Sequence, residues 1–161
     1  MAAARPRTLG EIHPDTVAPY LGHYDNAELM QRCLEMTLDY LKTRQQFGVA
    51  IGSFQALQHR AVDLFIQQQL ARHATAAAIR TATSGVSGTA LSLAASSAKS
   101  RAAHAALMIG TQAIQLHGAI GFTDEYDLGL YVNRIVRLAA SLGNAAWHRK
   151  RYADLGEGAR S

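Results

Sequence analysis

Helix breakers and cross-linking residues are scarce in this chain. Its three prolines are Pro6, Pro14 and Pro19, and none follows in the rest of the 161 residues. So long a stretch without the strongest helix breaker excludes a turn-rich β fold. Cys33 is the single cysteine. That excludes a disulfide framework and a Cys/His metal pattern, and makes a reducing compartment, the cytoplasm, the expected location. No apolar run is long enough to span a membrane, and the N-terminus has no signal-peptide apolar core. Aromatics are only 7% of the chain. The charge excess is modest, +4 with a pI near 9.5. Basic residues are scattered apart from Arg149-Lys150-Arg151, and no nucleic-acid motif accompanies them. The excess suits an anionic ligand or a mildly basic surface.

Alanine dominates what remains. Hydrophobic residues are 48% of the chain, and much of that fraction is small. Small side chains let helices approach closely, so the composition points to tight helix packing in one domain with its own core. Residues 1–24 hold all the prolines and read as an irregular lead-in. A first helix is expected from Asp25 or Asn26 to before Gly48. Its buried face is Leu29, Met30, Cys33, Leu34, Thr37, Leu38 and Leu41, at spacings of three and four. Ser53 is expected to cap a second helix over 54–83, with Leu57, Ala61, Leu64, Phe65, Gln68 and Ala71 inward. Ser84–Gly88 is a break. A third helix is expected over 89–117, and a fourth over 126–155 with Leu130, Ile135, Leu138, Leu142, Ala146 and Trp147 as apolar positions. Residues 156–161 read as a frayed tail. The fold class is all-α, an antiparallel four-helix bundle.

Two segments combine polar side chains, glycine and an aromatic at helix ends. The first is Arg44-Gln45-Gln46-Phe47-Gly48 with Phe54-Gln55. By residue type alone, Arg44 either forks onto phosphate oxygens or complements the helix dipole. The second is Gln115-Leu116-His117-Gly118-Ala119-Ile120-Gly121-Phe122, which reads as a helix C-cap or as a backbone that lets a ligand come close. His117 is an acid/base candidate by type and a cap by position. Asp124-Glu125 suit a helix start. No other histidine shows metal spacing or a nucleophile partner.

Both segments resemble the C-terminal helical domain of acyl-CoA dehydrogenases, over about residues 29–155. The resemblance implies FAD as cofactor. It implies that Arg44 and Gln55 contact the flavin's pyrophosphate and ribose region across a subunit interface, with Phe47 packed beside it. It further implies that Gln115 and the backbone of Gly118 and Ala119 lie against the adenosine diphosphate half; Ala119 stands where the family has a second glycine. Ser141-Leu142-Gly143-Asn144 resembles the region of the family's catalytic glutamate and puts Leu142 at that position, so no catalytic residue is assigned. The flavin-binding body of such enzymes lies outside this sequence. The expectation is a domain of an FAD-dependent oxidoreductase of fatty acid metabolism acting on CH–CH bonds, inactive alone. It would form a homo- or hetero-oligomer and share in handling acyl-CoA, with no nucleic acid and no membrane span. Rival expectations are an assembly module that no longer binds flavin, and a different flavin oxidation on the same fold.

Overall fold

The computed structural model describes residues 14–122 and 127–158. Among them are five α-helices: α1 Pro14–Thr43, α2 Gln55–Thr83, α3 Thr89–His117, α4 Leu128–Ala140 and α5 Ala145–Gly158. A two-residue antiparallel ladder, β1 Gln45–Gln46 with β2 Val49–Ala50, and a turn of 3-10 helix at Ile51–Ser53 join α1 to α2. The architecture is the expected antiparallel bundle, with its fourth member split into α4 and α5.

Helix α3 is the central element and packs against every other helix. Its sequence explains why. Ala98, Ala102, Ala105, Ala106 and Ala113 are all buried, and such small side chains admit neighbours on several sides. The larger core residues come from the partners. Met30, Cys33, Leu34 and Leu41 of α1, Leu64 of α2, and Leu128 and Ile135 of α4 close around Ile109. Each fully buried Leu or Ile contributes about 2 kcal/mol of transfer free energy. Burial also pushes the Cys33 thiol up to about 12, which removes thiolate chemistry at neutral pH.

Several expectations are corrected. The first helix starts at Pro14, inside the proposed irregular lead-in; proline at a first helical turn leaves no internal hydrogen bond unmade. Residues 1–13 lie outside the described residues, as do Asp124, Glu125 and the expected helix start at Tyr126. The residue before α2 is Phe54, and the Ser53 hydroxyl turns back to Ala50 O at 2.7 Å instead of capping the helix. The fourth helix is not continuous. Ser141, Gly143 and Asn144 are cap-forming types, and together they outcompete the apolar periodicity running through them. The break changes the helical phase, so Leu142 and Trp147 are exposed rather than inward. Leu130, 70% exposed, and Phe65, 51%, also face outward. The tail is helical to Gly158.

Candidate functional site

Local chemistry fixes the backbone after α1. In a two-residue hairpin of type I′ both turn positions take positive φ. Phe47 and Gly48 have φ of 54° and 81°. Glycine occupies that region freely, whereas a phenylalanine there is held at a cost of about 1–2 kcal/mol. The Phe47 ring gains little burial in return: it is 91% exposed and meets the edge of Phe54, centroid to centroid 6.2 Å. A strained residue presenting an aromatic ring to solvent is an observation from which function is argued. The hairpin is stiff. Ile51 N–H donates to Arg44 O at 2.8 Å, and the Gln58 amide donates to Gly52 O at 2.9 Å.

The second segment packs on the end of α1 that leads into the first. His117, the last residue of α3, stacks on Tyr40 of α1 with centroids 4.5 Å apart. His117 Nδ1 lies 2.8 Å from Ala113 O. Burial lowers its pKa, opposed by backbone hydrogen bonding to Ala113. His117 therefore clamps α1 to α3, and the acid/base candidacy gives way to this structural role. Gly118 follows with φ of 63°, and its N–H caps Ile114 O. The clamp sets Arg44, four residues past Tyr40, and Gln115–Ala119 at one end of the bundle, beside Gln55 at the start of α2. Arg44, Gln55, Gln115, Gly118 and Ala119 are all exposed. The Arg44, Gln55 and Gln115 side chains make no hydrogen bond or ion pair among the described residues.

The break between α4 and α5 is built the opposite way. Lys99 is 1% exposed and donates its Nζ to Leu138 O at 2.7 Å. That carbonyl belongs to the last turn of α4, where acceptors lack helical partners and the helix dipole is negative. Burial lowers the Lys99 pKa. Ser141 Oγ donates to the same carbonyl at 2.9 Å. Asn144 Oδ1 accepts Trp147 N–H at 2.9 Å and caps α5. His148, 3% exposed, engages Leu142 O through Nε2 at 3.0 Å. Leu142 has φ of 56° and is 55% exposed. A Cβ on Gly143, φ 96°, would meet the Trp147 ring at 2.8 Å. Residue pattern alone gives Lys99 no role and His148 little; the available signal is a lysine in the middle of the buried alanine stripe.

Among the described residues no group of His, Cys, Asp and Glu is placed to hold a metal, and no helix is long and apolar enough to cross a membrane. The architecture, a bundle whose one end carries Arg44, Phe47, Gln55 and the Gln115–Phe122 loop, can be compared with known proteins. The acyl-CoA dehydrogenase C-terminal domain matches residues 24–154. The chain belongs to the acyl-CoA dehydrogenase family. It is 46% identical over 104 residues to acyl-CoA dehydrogenase IpdE2 of Mycobacterium tuberculosis, covering 65% of this chain and 30% of that protein. It is 38% identical over 142 residues to acyl-CoA dehydrogenase FadE34 of the same organism, covering 88% of this chain and 20% of that one. Among solved structures, the Tcur3481-Tcur3483 steroid acyl-CoA dehydrogenase G363A variant superposes with a TM-score of 0.85 at 31% identity, over 91% of this chain and 40% of that chain. The FAD complex of PigA superposes with a TM-score of 0.73 at 26% identity, over 82% and 33%. The chain thus spans about a third or less of the curated acyl-CoA dehydrogenases it matches.

Proposed function

We propose that this chain is the part of an acyl-CoA dehydrogenase-type flavoprotein that forms the oligomer core and supplies half of an FAD site shared between subunits. One observation carries the reading: the Tyr40–His117 clamp collects at one end of the bundle an arginine and two glutamines that have no side-chain partner among the described residues, next to an aromatic held outward on a strained turn. These residues fit a dinucleotide. The Arg44 guanidinium suits pyrophosphate oxygens, Gln55 and Gln115 suit ribose and phosphate acceptors and donors, and Phe47 offers a flat face. The exposed backbone of Gly118 and Ala119 allows close approach. Bound FAD would be the electron acceptor for acyl-CoA oxidation. PigA, a structural neighbour, forms a complex with FAD, which agrees with this assignment. An apolar row on the outer side of α2, Val62, Phe65, Ile66 and Leu70, each 45–55% exposed, suits burial against further protein.

The catalytic assignment is narrower. Leu142 stands at the position of the family's glutamate and cannot accept a proton. We therefore infer a non-catalytic subunit of a heteromeric dehydrogenase, whose proton-abstracting base comes from another polypeptide. The neighbours that are two-protein assemblies, the Tcur3481-Tcur3483 enzyme and the ChsE4-ChsE5 complex of Mycobacterium tuberculosis, agree with that reading. The test is turnover of the parent protein purified alone and after co-expression with candidate partners. Activity only in the co-expressed assembly is expected. Normal acyl-CoA dehydrogenation by the homo-oligomer would end the heteromeric reading.

A further inference from the structure

A groove of about 390 Å³ runs between α3 and α5. Its α3 wall includes Ser100, Arg101 and His104, and its α5 wall is His148, Arg149 and Tyr152. No carboxylate lines it. Positive charge also lies behind it: Arg151 Nη1 donates to Ser96 Oγ at 2.7 Å beneath the groove, and Lys99 is buried alongside. Burial lowers the pKa of His148, and the fields of Lys99 and Arg151 lower it further. His148 lines the groove while its Nδ1 is sealed from solvent and has no hydrogen-bond partner among the described residues. Arg101 lines the groove while its Nη2 donates to Gln67 Oε1 of α2 at 2.6 Å.

We propose that this groove binds the phosphate group of a small organic phosphate, with Arg101 and Arg149 as its cationic clamps and the Ser97 hydroxyl as a further donor. Several cationic or donor side chains converge with no acid among them, so an oxyanion supplies the missing sign. The size argument separates the possible sources. A volume of this order lies at the lower end of small-molecule sites, about 300–1,000 Å³, and exceeds the needs of a bare phosphate. Tyr152, 47% exposed, offers a flat apolar face for the organic part. His104 lies roughly 21 Å along α3 from Gly118 at 1.5 Å per residue, so the groove is separate from the Arg44 end.

Trp147, the single tryptophan, reports on the site directly. Its ring meets His148 edge-on at 4.6 Å, and the Arg151 guanidinium lies 5.8 Å from its centroid. Fluorescence of the full chain is titrated with inorganic phosphate and with ribose 5-phosphate at constant ionic strength. Saturable change is expected, with ribose 5-phosphate at least tenfold tighter; equal affinities would keep the site and assign it to free phosphate. Arg149→Gln, an exposed position that leaves folding intact, should weaken binding tenfold or more. No saturable change up to ~10 mM of either probe, an identical response to chloride, or full affinity in Arg149→Gln would overturn the proposal.

Discussion

At the α1 end of the bundle, Arg44, Gln55 and Gln115 direct no side-chain hydrogen bond at the described chain, and the backbone carries itself through a hairpin. At the α4–α5 break, roughly 28 Å away along α3, Lys99, Ser141, Asn144 and His148 all turn onto backbone atoms of one short segment. Polar residues of similar type are left available in one region and consumed in the other. A side chain that is exposed, unpartnered and set on a stiff support contributes little to folding, and its place is explained by what it binds. A buried side chain with a backbone partner is explained by the fold.

That contrast can be broken by substitution. The largest effect belongs to Lys99. Lys99→Ala opens a cavity and removes a donor from the last turn of α4, and should cost about 3 kcal/mol in chemical denaturation. Lys99→Met keeps the volume without a buried charge that lacks a carboxylate, and should lie within about 1 kcal/mol of the parent. An equal loss in both would mean that the charge itself holds the break. Gly143→Ala comes next. A left-handed backbone and a 2.8 Å contact to the Trp147 ring predict a loss of about 2 kcal/mol. A neutral result would show that the break rearranges easily.

The pH dependence sharpens the same distinction. His117 and His148 both have folded pKa values lowered from 6.5, chiefly by burial. The unfolded chain therefore binds more protons on the acid side. Stability from these two groups is fully present above the unfolded value and is lost as pH falls through their folded values. The melting temperature should decline from pH 7 to pH 5, and less steeply in His117→Gln and His148→Gln. A histidine-independent acid slope would contradict the burial argument.

Much of the bundle was legible in the sequence. The α1 face from Leu29 to Leu41 and the bounds of α3 follow from helical spacing, and the two motif segments follow from their residue types at helix ends. The α4–α5 break was hidden because Leu138, Leu142 and Ala146 keep a helical period across it. Only the conjunction of Ser141, Gly143 and Asn144, together with the long-range bond from Lys99 and the local bond from His148 to Leu142 O, sets the chain against that period. The convergence of Arg44 and Gln115 also depends on a tertiary contact, Tyr40 on His117, that no local pattern encodes. The basic groove was equally hidden, since Arg101 and Arg149 are distant in sequence.

The smallest stability effect is expected at Arg44, and it carries the central claim. Arg44→Ala in the assembled parent protein should change folding stability by less than ~0.5 kcal/mol, because the guanidinium has no partner to lose among the described residues. The decisive measurement is FAD affinity of that assembly, parent against Arg44→Ala, followed by flavin fluorescence. A tenfold or greater loss of affinity at unchanged stability is the predicted result. Unchanged FAD affinity would contradict the account and leave the domain as a packing module alone.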